Sequence, residues 1–348
     1  MVDLKHKNII VTFLMHLGDL VLLTPFLEVL RRNASGSRIV LVADEKVADV
    51  ARYSPYIDKC VTVDKKGKDN SIMALWHIAR RLHKEERPDI VLNLHPNERT
   101  SFLAWAIGAR ETVGMSHFLF RPFMKKVTRL DRIHLHAADM YIDVLKQLGI
   151  SDIENHGLSI TCSKEWEEAA DRFYAQEGVG EKDKIIGFNI GSAVQQKRWE
   201  PKRFAQAADY FADKGYKIIF FGGTMDKEMV QEAVGHMKYK PMIGTGKFSI
   251  GELAAAIRRC CLFITNDSGP MHIAVSQKVP VVALYGPSNP MLYGPYTSRA
   301  VVLESMTAYE TGKSMKKIIR EGKYAGINVI PVERVLQGAE SLLQSAEK

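Results

Sequence analysis

Apolar positions along the chain fall into two kinds of run that take turns. One kind is short and continuous, as in strands buried on both faces of a parallel sheet; the other spaces its apolar residues three or four apart, as in helices buried on one side. The amino terminus shows both: Ile9 to Phe13 predicts a strand, the polar stretch His16 to Asp19 a loop, and Val21 to Arg32 a helix. His16, Gly18 and Asp19 interrupt the apolar stretch from Asn8 to Leu30, which argues against a membrane span or a signal helix there. The alternation continues with a strand at Arg38 to Val42, a helix at Ser71 to Lys84, and a strand at Ile90 to Leu94 that runs into His95, Asn97, Glu98 and Arg99. A helical pattern through Met140, Val144, Leu145 and Leu148 then ends at Gly149, a residue suited to a helix C-cap.

Between Ala175 and Lys184 the sequence is polar and glycine-bearing, and afterwards the pattern restarts. Ile185 to Ile190 predicts a strand, Gly191 and Ser192 a loop, and Pro201 opens a helix with Phe204, Ala208 and Phe211 on one face. Lys217 to Phe221 predicts a strand ending in Gly222 and Gly223, followed by helices at Asp226 to His236 and Ile250 to Arg259 and a strand at Val279 to Leu284. The fold class is therefore α/β, with two Rossmann-like domains in tandem and ligand sites expected beyond the carboxyl ends of the strands and in a cleft between the halves.

The stretch ITNDSGPMHIA, residues 264 to 274, carries the sharpest local signal. A strand ends abruptly in Asp267, Ser268 and Gly269, and an apolar helix begins at Pro270 with His272 in its first turn. Free N–H groups and the positive end of the helix dipole make such a start a place for anions, while Asp267 or Ser268 serves equally as an ordinary cap.

At 348 residues the chain is long for one core and suits two domains. A formal net charge of +8 fits a phosphorylated ligand or an anionic membrane surface. No aromatic-basic signature of nucleic-acid binding is present, and the runs Lys65, Lys66, Lys68 and Lys316, Lys317 read as solvated surface. Four cysteines without C-x-x-C spacing fit a reducing cytosol. Asp131, His134 and His136 have a spacing better explained by an exposed polar stretch than by a metal site. T-G-K-S at 311 to 314 lacks the upstream glycine of a phosphate-binding loop, since residue 307 is Thr, and G-T-G-K-F-S at 244 to 249 lacks the third glycine of a dinucleotide fingerprint. No G-x-S-x-G nucleophile elbow occurs.

Four segments together resemble glycosyltransferase family 9, the ADP-heptose lipopolysaccharide heptosyltransferases: G-D-L-V-L-L-T-P-F-L-E-V-L-R-R at 18 to 32, K-R-W-x-P-x-x-F-A at 197 to 205, F-G-G-x-x-D at 221 to 226 and N-D-S-G-P-M-H-I-A at 266 to 274. The resemblance implies the GT-B fold, with two Rossmann-like domains facing a central cleft. Its expected organisation is an acceptor-binding domain over 1–165, a nucleotide-sugar-binding domain over 166–330, and a C-terminal helix over 331–348 (Val332 to Ser345) that crosses back to the first domain. The tail from Ser305 to Asn328 departs from the family pattern.

The implied reaction is inverting, metal-independent transfer of heptose from ADP-heptose to the lipid A–Kdo or heptosylated inner core, by a cytoplasmic enzyme in peripheral contact with the inner membrane of a Gram-negative cell, with no cofactor. Such a reaction must neutralise a leaving diphosphate and deprotonate an acceptor hydroxyl. With no D-x-D in the chain, the cation has to come from the protein, and Lys197 and the helix start at Pro270 with His272 are the candidates. Asp19 matches the family's proposed catalytic aspartate; its alternative is to cap the helix that follows. Ser192, Asp267, Ser268 and Gly269 join the nucleotide-sugar group. Asp226 and Glu228 are placed to accept from ribose hydroxyls, with capping as the alternative for Asp226. Phe248 lies in the segment that lines adenine in the family, or else in the core. The other function class open to the sequence is a non-catalytic nucleotide-sugar or glycolipid binding protein of the same fold.

Overall fold

The computed structural model describes residues 2–129, 131, 133–305, 320 and 326–346. Of the divergent tail 305–328, only 305, 320 and 326–328 are among them; Lys316, Lys317 and the T-G-K-S stretch lie outside the described residues. The chain divides into two compact units, Met1–Thr161 and Cys162–Lys348.

The first unit is built on six parallel strands: β1 (Asn8–Phe13), β2 (Arg38–Asp44), β3 (Lys59–Val63), β4 (Ile90–Asn93), β5 (Glu111–Gly114) and β6 (Lys126–Val127), in the order β3-β2-β1-β4-β5-β6. The second unit has β7 (Ile185–Asn189), β8 (Lys217–Phe221), β9 (Met242–Ile243), β10 (Cys260–Asn266), β11 (Val281–Tyr285) and β12 (Ala300–Glu304), ordered β9-β8-β7-β10-β11-β12 and likewise all parallel. Each sheet has the Rossmann order, whose direction reverses beside the first strand, between β1 and β4 and again between β7 and β10. The continuous apolar runs follow from burial on both faces: Ile9, Ile10 and Val11 of β1 and Phe263 and Ile264 of β10 are fully covered.

The opening helix differs from its expectation. Instead of one helix from Val21 to Arg32 there are two, Leu17–Leu22 and Thr24–Asn33, which meet at Leu23. Pro25 at the start of the second has no N–H to continue the first, and the Thr24 hydroxyl donates to the carbonyl of Val21 at 2.7 Å to finish it.

The unit boundary falls between Thr161 and Cys162, before the polar stretch from Ala175. The helix Lys164–Gln176 already packs on the second unit's helix Ile250–Arg258. There Trp166 lies over Gly251, where a Cβ would come within 2.2 Å of the indole, and the Tyr174 hydroxyl donates to the carbonyl of Ala256. The C-terminal helix Val332–Ala346 packs on the second unit, against β10, β11, β12 and the helix Pro201–Asp213. Val335 and Ala339 belong to that unit's core with Phe204, Phe211 and Leu303, and the Trp199 indole N–H donates to the carbonyl of Ile330 to hold the approach. No helix among the described residues is long and apolar enough to cross a membrane.

Candidate active site

In the second unit the loops that follow β7 and β10 leave the sheet side by side, at the point where the strand order reverses. Both strands end in a buried amide side chain. Asn189 donates to the carbonyl of Gly191 (3.1 Å), to Oγ1 of Thr265 (3.2 Å) and to Oγ of Ser268 (2.9 Å); Asn266 donates to the carbonyl of Ile190 and accepts from the backbone N–H of Trp199. Buried amides bonded in this way fix the two loops against each other.

Upon that base sit the charges. The Lys197 ammonium lies 2.6 Å from Oδ2 of Asp267, with the two side chains 18% and 8% exposed. The Ser192 hydroxyl donates to the carbonyl of Asp267 at 3.3 Å, and Nε of Arg198 donates to the carbonyl of Ser192 at 2.7 Å. Ser268 is the N-cap of the helix Gly269–Ser276, but its hydroxyl does not cap: it accepts from Asn189 and donates to the carbonyl of Asn266. Gly269 and Pro270 form the first turn, and His272 is buried within it. The structure thus brings together Ser192, Lys197, Asp267, Ser268, Gly269, Pro270 and His272. Asp267 is engaged as the counter-ion of Lys197, and neither it nor Ser268 makes a side-chain cap.

Asp226 stands on the neighbouring loop after β8. Its carboxylate accepts from the N–H of Gly223 at 2.8 Å, closing the turn Thr224–Asp226, and makes no cap to the following helix Lys227–Gly235. It also lies against Gly191, where a Cβ would sit 2.4 Å from the carboxylate, so only glycine lets the β7 and β8 loops approach this closely. Glu228 is exposed on the first turn of that helix. The half-buried Phe248 packs edge-on against Phe173 at 4.9 Å and near Phe221 at 6.1 Å. Beside these loops Lys227, Val230, Ile243, Thr245 and Lys247 line a cavity of about 440 Å³.

In the first unit Asp19 follows β1, again beside the reversal of strand order. It does not cap a helix: the N-cap of Leu17–Leu22 is His16, and Asp19 sits inside the first turn. Burial pushes its carboxyl above the usual range, while the backbone amides of His16 and Asp19 and the charges of His16 and Lys65 pull the other way. Lys65 belongs to no solvated run. Its ammonium lies 2.8 Å from Oδ2 of the buried Asp44 and donates to the carbonyls of Leu14 (2.9 Å) and Met15 (3.2 Å), which pins the strand exit leading to Asp19.

Four residues at these sheet edges were not proposed for the site from the sequence. Asn189 and Asn266 carried a readable signal, a polar residue closing an apolar strand. Lys65 carried none, because its partners Leu14, Met15 and Asp44 are distant in the chain. Ser288, after β11, is buried with no hydrogen-bond partner for its hydroxyl among the described residues. Asp131 and His134 pair with each other at 3.0 Å, and no group of three or more His, Cys, Asp or Glu among the described residues is arranged to hold a metal.

Residues 75–325 match the family model of glycosyltransferase family 9 (heptosyltransferase). The chain belongs to that family. It is a glycosyltransferase with the GT-B fold. Lipopolysaccharide heptosyltransferase 3 of Escherichia coli strain K12 is 26% identical over 337 residues, covering 94% of this chain and 95% of that protein. The crystal structure of a glycosyltransferase family 9 protein from Veillonella parvula DSM 2008 is 59% identical, covers 99% of both chains and superposes with a TM-score of 0.97. At 15% identity, E. coli heptosyltransferase WaaC with ADP-2-deoxy-2-fluoro heptose shares the fold, with a TM-score of 0.64 over 90% of this chain and 99% of that one.

Proposed function

We propose that this glycosyltransferase moves heptose from ADP-heptose to the phosphorylated lipid A–Kdo or heptosylated inner core of lipopolysaccharide, with inversion and without a metal ion. The observation that carries the reading is the junction of the β7 and β10 loops, where Lys197, Ser192 and the start of the helix Gly269–Ser276 converge on one sheet edge. The names of the relatives supply the sugar and acceptor: lipopolysaccharide heptosyltransferases, one of them solved with an ADP-heptose analogue.

In this reading Asp19 takes the proton of the acceptor hydroxyl as its oxygen attacks the anomeric carbon. The bond from that carbon to the diphosphate oxygen breaks, and ADP leaves with the electron pair. An ammonium offers three donors; Asp267 occupies one of those on Lys197, and the others serve the diphosphate together with the first-turn N–H groups of the helix. Asp226, with Glu228, would hold the ribose, and Phe248 with the neighbouring cavity the adenine. The enzyme would work in the cytoplasm, at the inner face of the membrane that presents its acceptor.

The test is transfer, measured as heptosylated acceptor in the presence of EDTA. Activity is expected to persist; a large loss restored by Mg²⁺ would overturn the metal-free assignment of charge to Lys197 and the helix start. The pH profile follows from Asp19. A base is lost as pH falls through its pKa, and burial raises that pKa, so the acid limb of kcat/KM is expected at a higher pH than an exposed aspartate would give. A limb at or below the ordinary aspartate range would remove Asp19 from the role.

A further inference from the structure

The first unit carries an apolar surface that its core does not use. The helix Ile72–Glu86 turns Leu75, Ile78, Ala79 and Leu82 inward, yet leaves Ile72, Met73 and Trp76 exposed on its first turns. Trp76 stands 6.3 Å from Trp105 of the helix Glu98–Ile107, ring centre to ring centre, and Trp105 in turn stands 6.2 Å from Phe120 and 5.6 Å from Phe123. The last two belong to the short turn Phe118–Phe123, whose Phe118 and Leu119 are 64% and 56% exposed. A contiguous group of this size, with rings supported from beneath by other rings, is not the scatter of single apolar residues that any surface carries.

Cations border it. Arg121 is exposed within the turn itself, and the segment from Phe118 to Arg129 holds no carboxylate. Arg80, one helical turn beyond Trp76, adds another. Of the carboxylates contacting this region, Glu111 is paired with Lys125, and Glu98 lies 3.6 Å from His117.

We infer that this surface, formed by Ile72, Met73, Trp76, Trp105 and the turn Phe118–Phe123 with Arg80 and Arg121 beside it, docks the enzyme on an anionic phospholipid bilayer. Tryptophan and phenylalanine rings settle at the boundary between headgroups and acyl chains, and lysine and arginine beside them meet the phosphates. The charge decides against a second copy of the chain. An isologous contact would place the same cations face to face with no carboxylate from that segment to meet them, whereas an anionic headgroup layer neutralises them. The inference rests on the proposed placement of the enzyme at the inner face of the membrane and adds the surface that makes the contact, one that none of the proposed sugar or nucleotide contacts occupies.

Flotation of the full-length protein with vesicles, in the absence of donor and acceptor, tests it. Binding is expected to vesicles of phosphatidylglycerol and phosphatidylethanolamine, with blue-shifted tryptophan emission, and to be far weaker to phosphatidylcholine alone. Phe118→Ser with Phe123→Ser is expected to weaken binding by about ten-fold or more, since both rings leave the interface. Arg80→Glu with Arg121→Glu should weaken it by roughly five-fold for each charge removed, and more for reversal, with the effect fading at high salt. All four side chains are exposed, so melting temperatures should stay close to wild type. Failure of the wild type to float with anionic vesicles, undiminished binding by both double variants, or self-association abolished by the two serine substitutions would each overturn the proposal.

Discussion

Replacing Asp19 by Asn is expected to lower turnover by about 10²- to 10⁴-fold, the usual contribution of a positioned general base. Donor affinity should hold, because no part of the proposed ADP site involves this residue. Stability supplies the second readout. The Asp19 carboxyl has a folded-state pKa above its unfolded value, so between the two values the folded chain holds a proton that the unfolded chain has lost. Stability from this group is therefore full at low pH and declines as pH rises through that window, leaving the ionised carboxylate a cost at neutral pH. The neutral amide escapes that cost. Asp19→Asn should melt at the same temperature as wild type or higher at neutral pH, and near-normal turnover by that variant would end the catalytic assignment.

Lys197→Met is expected to act on two quantities at once. It removes a charge-assisted contact to the diphosphate, with a loss of roughly 1.5–3 kcal/mol in donor binding, or about 10- to 150-fold. It also strands Asp267 in a largely buried position, and breaking such a pair costs about 3 kcal/mol of stability. Adding Asp267→Asn removes the stranded charge, so the double variant should regain much of the stability without regaining ADP affinity. Calorimetry with ADP and urea unfolding of the two variants separate the roles. Recovery of ADP affinity in the double variant would make Lys197 only the counter-ion of Asp267.

What the sequence revealed of this fold depended on where each strand lies in its sheet. The central strands β1, β7 and β10 must be apolar on both faces, and their runs stood out. Strand β8 was read with its bounds intact, Lys217 to Phe221. Strands β3, β5, β6, β9 and β12 were not read. The first and last of these are edge strands with partly exposed residues, and β6 and β9, also at edges, are two residues long. Such segments become strands because a neighbour offers its hydrogen bonds, which no local pattern records. The boundary between the units lies close to the expected 165, and packing rather than composition sets it: the contact of Trp166 with Gly251 commits the helix before the polar stretch at Ala175 to the second unit.

The candidate site was legible where chemistry and chain order coincide. Asp267, Ser268, Gly269, Pro270 and His272 sit on one strand-to-helix passage, and Ser192 and Lys197 on one loop. The ion pair between those two segments bridges Lys197 and Asp267, far apart in the chain, and the amides of Asn189 and Asn266 that fasten the loops look like ordinary strand ends until the sheet is assembled. Asp19 was found through the family resemblance, and its place inside the first turn of Leu17–Leu22 went unread because the polar stretch His16 to Asp19 has the composition of a loop.

Mass spectrometry of a heptose-free core acceptor incubated with ADP-heptose and either the wild-type enzyme or Asp19→Asn tests the reading most directly, with ADP binding of both proteins measured alongside. The wild type is expected to yield acceptor heavier by one heptose while releasing ADP, and Asp19→Asn to bind ADP equally and yield little product. No product from the wild type on any inner-core acceptor, or equal product from both proteins, would contradict it.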